Sequence, residues 1–140
     1  MAKQTKDIEE MLDYLNLNTM SKSLREKIRS TQYPSSDPIQ LFRDVVSDQY
    51  VEQLNNDFAR SLRLAKLRGT DAQIEHLQSG NGRKYHDPTI KQLSTLEFIA
   101  DRKNIAIFGE SSAGKTFASK AFGVEACRNG YRTLFTDFTE

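Results

Sequence analysis

Cysteine is almost missing from this chain: Cys127 is the only one in 140 residues. A single thiol cannot close an internal disulfide, which excludes a small scaffold held together by such bridges. Two histidines, His76 and His86, lie ten residues apart in a polar stretch and form no cluster of metal-ligand spacing. Long hydrophobic runs are also absent. Nothing approaches the roughly 20 apolar residues that span a bilayer, and the first residues, MAKQTKDIEEMLDYL, lack the apolar core of a secretory signal. These absences predict a reducing, cytoplasmic setting without a membrane. Glycine and proline are missing from Ile39 to Leu67, and acids are missing between Phe58 and Thr70.

What is present suits a soluble globular protein: 37% hydrophobic and 28% charged residues, in a length that fits one domain or a small domain with part of another. The net charge of +1 hides an uneven distribution. Residues 1–57 hold seven Lys/Arg against ten Asp/Glu, a balance of −3; residues 58–140 hold thirteen against nine, a balance of +4. The acid-free stretch FARSLRLAKLRG carries Arg60, Arg63, Lys66 and Arg68. Such a segment can neutralise phosphates of duplex DNA, or it can be a solvated helix face.

Helical spacing dominates the first half. Ile8, Met11, Leu12 and Leu15 follow a capping residue, Asp7; Met20, Leu24 and Ile28 continue from Thr19. The turn formers of YPSSDP come next, and Pro38 with Asp37 opens a third helix. The pattern from Ile39 to Leu67 is long for one globular helix, which predicts a break near Ser47–Asp48, and Gly69 is the stop signal. SGNGRKYHDP reads as a linker or exposed loop, followed by a helix from Pro88 through Ile90, Leu93, Leu96 and Ile99.

The period then changes. NIAIFG and YRTLFTD have the length and composition of strands, flanking a helix from Lys115 to Asn129 that Gly130 ends. Strand, glycine loop, helix, glycine turn and strand predict the opening βαβ unit of a parallel sheet. The expected fold is therefore α + α/β: a helical domain over 1–69, a linker over 70–88, and a phosphate-binding α/β part over 89–140.

The loop GESSAGKT, Gly109 to Thr116, fits G-x-x-x-x-G-K-[ST] in its required setting between strand and helix. Each fixed residue type has a reason. Gly109 and Gly114 let the backbone curl so that N–H groups point at phosphate oxygens, and the helix N-terminus adds its positive dipole end. Lys115 supplies a mobile cation for the β- and γ-phosphates, and the Thr116 hydroxyl is a hard oxygen ligand for Mg²⁺. Glu110, Ser111, Ser112 and Ala113 complete the loop, with Ser112 at a place that often holds glycine. Phe117 can lie beside a nucleotide or pack in the core. Cys127, on the helix after the loop, reads as a small buried apolar residue.

From Phe98 onward, FIADRKNIAIFGESSAGKTFASKAFGVEACRNGYRTLFTDFTE resembles the IstB-like ATP-binding proteins, transposition helper ATPases related to the DnaC-type helicase loaders. DAQIEHLQSGNGRKYHDPTIKQL is similar to that family's linker, including Arg83, and residues 8–68 look like its N-terminal domain. The resemblance implies an AAA+ ATPase fold, ATP and Mg²⁺ as ligands, and ATP-dependent assembly on duplex DNA in transposition. Arg83 and Lys84 join the basic helix as possible backbone contacts. It also implies a homo-oligomer in the full-length parent and a transposase or helicase partner. A helicase-loading adaptor remains the alternative, as does a truncated remnant that binds ATP without hydrolysing it. The family's acidic motif, sensor and arginine finger fall beyond Glu140, and Asp137 and Glu140 match the start of its next helix. The expectation is phosphate clamps without catalytic residues.

Overall fold

The computed structural model describes residues 7–30, 37–77, 79, 85–111 and 113–137. Most of the turn expected at Tyr33–Pro38 lies outside these residues, as do Ser112, Arg83, Lys84 and Glu140. The chain forms two compact units, Met1–Asp57 and Phe58–Glu140. The change in charge balance falls at the same boundary.

In the first unit, α1 spans Ile8–Tyr14, and the Asp7 carboxylate accepts from the Ile8 N–H at 2.7 Å. α1 ends with Asn16 at φ 61°, where the Leu17 N–H reaches back to the Leu12 carbonyl at 2.9 Å. α2 covers Asn18–Arg29 and has no side-chain cap of its own. The Gln49 side chain supplies one from outside, accepting from the Met20 N–H in the first turn at 3.0 Å. Arg25 Nε donates to Glu9 at 2.8 Å and ties α2 to α1.

α3 is one continuous helix, Pro38–Leu64, whose N-terminus is capped by Asp37 through the N–H groups of Ile39 and Gln40 at 3.2 and 3.1 Å. The break expected near Ser47–Asp48 does not occur. Asp48 caps no new helix because its carboxylate faces α2, accepting from the Ser23 hydroxyl at 2.5 Å and from the Lys27 ammonium. Val45 is buried one turn earlier.

The second unit is organised around α6, Lys115–Arg128, six of whose residues are buried: Ala118, Ala121, Phe122, Val124, Ala126 and Cys127. Ala118, Ala121 and Phe122 follow the three-and-four spacing of one helix face and pack with Ala72 and Leu77. Val124 and Cys127 face another cluster with Ala65 and Leu67. Cys127 is thus the buried apolar residue expected. A helix with apolar neighbours on several sides is a central one.

The approach to α6 differs in detail from expectation. α3 ends at Leu64, before Gly69, because Lys66 takes the left-handed position (φ 57°) and the Leu67 N–H bonds the Leu62 carbonyl at 2.9 Å. A single-turn 3-10 helix, Ile74–His76, then leads towards α4, Asp87–Ser94. The helix foreseen through Ile99 is divided. The Ser94 and Thr95 hydroxyls donate back to the carbonyls of Lys91 and Gln92, Leu96 adopts φ 60°, and α5 resumes over Glu97–Ala100.

Among the described residues no strand forms, so the two segments predicted as strands are irregular backbone. A ladder needs a neighbour for every N–H and C=O. Here the Phe135 N–H donates at 2.9 Å to Ala65 at the end of α3 instead. Phe108 and Leu134, which a sheet would cover, are 90% and 66% exposed.

The Lys27 ammonium and the Ser23 hydroxyl hold the Asp48 carboxyl below its usual range. The resulting stability is present above the ordinary carboxylate value of about 3.9 and is lost as pH falls through the depressed folded value. Asp48→Asn should therefore melt below wild type at neutral pH, with the gap closing as pH falls below the ordinary carboxylate value of about 3.9. Circular dichroism melts across that range measure it.

Candidate nucleotide-binding site

The loop before α6 is shaped by two features of its own sequence. Gly114 stands at φ 91° as the residue preceding the helix, a conformation that side chains rarely adopt. The Ala113 N–H turns back to the Glu110 carbonyl at 3.2 Å. Gly109 behaves otherwise than expected. It has no positive φ, and an added Cβ would meet Ala113 Cβ at an ordinary 3.5 Å. The tight curl is carried by Gly114.

Lys115 folds over this loop. Its ammonium donates to the Gly109 carbonyl at 2.9 Å and to the Glu110 carbonyl at 2.6 Å. Intrahelical bonding begins with the Ala118 N–H, which donates to Gly114 at 2.9 Å. The N–H groups of Lys115, Thr116 and Phe117 thus belong to the first turn, where a helix provides no acceptor. A cation held on two loop carbonyls beside a helix N-terminus is the donor set that a polyphosphate requires. Thr116 is exposed, with its hydroxyl available as a hard ligand for a divalent cation.

A cavity of about 550 Å³ opens beside the loop. Lys115, Thr116 and Ser119 line it from α6, Ile105 and Ile107 from the preceding segment, and Asp137 from the segment that follows the helix. Sequence reasoning leaves Asp137 out of the site, yet its carboxylate shares the cavity with the lysine and threonine. The signal for it is an acid closing the apolar run YRTLFTD. Phe117 is half-buried and packs against the cluster of Ala72, Leu77 and Ala118.

The other sequence candidates lie elsewhere. Arg60, Arg63, Lys66 and Arg68 are all exposed along the end of α3 and its cap. This segment is joined to α6 through Leu67, whose Cδ1 stands 2.9 Å from where a Gly123 Cβ would be. His76 approaches the Asp71 carbonyl at 3.1 Å and His86 the Thr89 hydroxyl at 2.7 Å, both exposed. Among the described residues no group of three or more His, Cys, Asp or Glu could hold a metal ion, and no helix is long and apolar enough to cross a membrane.

A sequence model of the family described as IstB-like ATP binding protein matches residues 10–140. The chain belongs to this family. Its relatives include a protein of Pseudomonas fluorescens named for ATP binding in insertion sequence IS1162, 35% identical over 71 residues. That alignment covers 51% of this chain and 31% of the relative. Another is its counterpart in insertion sequence IS5376 of Geobacillus stearothermophilus, 41% identical over 46 residues, 33% of this chain and 18% of the relative. The matched regions thus span less than a third of either relative.

The two glycines should respond differently to substitution. Gly109→Ala is expected to retain folding and nucleotide affinity, whereas Gly114→Ala forces a side chain into left-handed backbone at about 1–2 kcal/mol. Thermal melts together with titration of a fluorescent ATP analogue would resolve the two.

Proposed function

We infer that the chain binds ATP with Mg²⁺ through Gly109–Phe117. Lys115 would reach the β- and γ-phosphates, the first-turn N–H groups would cradle the phosphate oxygens, and Thr116 would hold the metal. The Lys115 ammonium, poised on loop carbonyls that phosphate oxygens can replace, is the observation that carries this reading. Given neighbouring strands to pair with, the segments 104–109 and 131–137 would become the first two strands of a parallel sheet within an AAA+ part that starts near residue 89, after the linker 70–88.

Family membership and the basic segment support a role in transposition, with ATP-dependent assembly on duplex DNA. Arg60, Arg63, Lys66 and Arg68 would bind backbone phosphates, joined by Arg83 and Lys84. Such contacts position a protein without reading sequence, as a helper without an operator needs. A reducing, cytoplasmic setting and oligomerisation of the parent protein belong to the same reading. The charge partition favours one refinement. The unit Phe58–Glu140, with its balance of +4, is assigned the DNA surface, and the unit Met1–Asp57, at −3, is left for a protein partner, a transposase or in the alternative reading a helicase.

Two measurements test the proposal. Lys115→Ala should weaken Mg·ATP binding by about 1.5–3 kcal/mol, because it removes a charge-assisted hydrogen bond; unchanged affinity by calorimetry would refute the nucleotide site. Replacing Arg60, Arg63, Lys66 and Arg68 by alanine should reduce the log–log salt slope of duplex binding by about 0.9 for each phosphate no longer neutralised. An unaltered slope would leave the segment as a solvated helix face.

A further inference from the structure

The cavity beside the phosphate loop carries a charge that the loop motif does not account for. Its two lysines are already engaged. The Lys115 ammonium donates to the carbonyls of Gly109 and Glu110, and the Lys103 ammonium donates to the Asp101 carboxylate at 2.8 Å. Asp137 is the one acid among the described residues that line this cavity. Its backbone carbonyl accepts from the Thr136 hydroxyl at 3.3 Å. Its carboxylate is exposed and, among the described residues, has neither a hydrogen bond nor an ion pair.

The chain fixes where this acid stands. Two residues earlier, the Phe135 N–H donates to the Ala65 carbonyl at 2.9 Å. The Phe135 ring packs against the cluster of Leu67, Val124 and Cys127, and the Lys120 ammonium lies 5.0 Å from the ring centre. Lys120 follows Ser119, which lines the cavity together with Thr116. The end of the 131–137 segment is therefore anchored against α6, and Asp137 lines the same space as the Thr116 hydroxyl.

An unpaired carboxylate is an unfavourable neighbour for a triphosphate. Two anions sharing a cavity repel each other until a cation lies between them. Mg²⁺ suits the donors at hand. It takes hard oxygen ligands, keeps several waters, and is commonly bound by one or two carboxylates together with phosphates. The Thr116 hydroxyl and the Asp137 carboxylate fit that requirement without a larger cluster of acids.

We propose that Asp137 is a metal-positioning residue, which with Thr116 holds hydrated Mg²⁺ against the phosphates and makes the site select Mg·ATP over free ATP. The inference rests on the nucleotide-binding reading of Gly109–Phe117 and adds to it a residue outside the loop motif. Without the metal, the same carboxylate opposes the triphosphate. Asp137 thus acts with opposite sign in the two conditions, which a side chain with only a packing role would not do.

Titration of the whole chain with a fluorescent ATP analogue, in excess Mg²⁺ and in EDTA, reads both effects. Asp137→Asn should weaken binding in Mg²⁺ about tenfold and raise the Mg²⁺ concentration at half-saturation by a similar factor. In EDTA the same variant should bind about twofold more tightly, because a repulsion is removed. Asp137→Glu keeps the charge and should keep the metal dependence. Circular dichroism checks folding, and Asp137→Ser takes the place of the asparagine variant if that one fails. Unchanged metal dependence in a folded neutral variant overturns the proposal, and so does an equal loss of affinity in both conditions. Lys115→Ala separates this inference from the site itself. Analogue binding indifferent to Lys115→Ala overturns the nucleotide site and this inference with it. Binding that falls with Lys115→Ala but ignores Asp137→Asn overturns this inference alone.

Discussion

The burial of α6 is the constraint on which the second unit depends. Its N-terminus is the phosphate end of the candidate site, and its flanks supply both clusters of the unit's core. Alanines at 118 and 121 let the chain around Ala72 and Leu77 come close, while Val124 and Cys127 hold the turn around Ala65 and Leu67. Moving this helix would shift Lys115, Thr116 and the basic segment together. The position of the site is therefore a result of apolar packing, and only its chemistry belongs to the loop.

The first unit is built on a different balance. Few of its large apolar residues are buried, and polar links between helices stand out: Arg25 to Glu9, Gln49 to the start of α2, and Asp48 with Ser23 and Lys27. Links of this kind fix orientation more than they add stability, since exposed ion pairs contribute little. Ile8, Tyr14 and Leu15 stay at the surface, as do Phe42, Tyr50 and Leu54 of α3.

The helical character of the first half, the caps at Asp7, Asp37 and Gly130, and the glycine turn before α6 were legible from residue type and spacing, because each rests on local chemistry. The continuity of α3 was not. Asp48 has the character of a cap, and only the neighbouring α2 reveals that its carboxylate is already engaged. Leu96 is similar: an apolar residue at helical spacing gives no hint of left-handed backbone, which follows from the hydroxyls of Ser94 and Thr95 turning inward. The apolar runs at 105–108 and 131–135 carry strand propensity, but a strand is a relation between two segments rather than a property of one. That pairing was beyond sequence to establish. Family membership was legible because the loop and the helix after it combine fixed residue types at fixed spacing.

Three of the helix endings are closed by residues other than glycine. Asn16, Lys66 and Arg102 all take positive φ, and in each case the next N–H bonds the carbonyl five residues back. Left-handed backbone costs a residue with a Cβ about 1–2 kcal/mol, less for asparagine. Lys66 and Arg102 therefore mark stability that the fold does not realise, and glycine at either would recover part of it. At Lys66 that gain would remove one of the four cations at the end of α3. A relaxed turn and a positive charge at this position exclude each other, since glycine carries no ammonium.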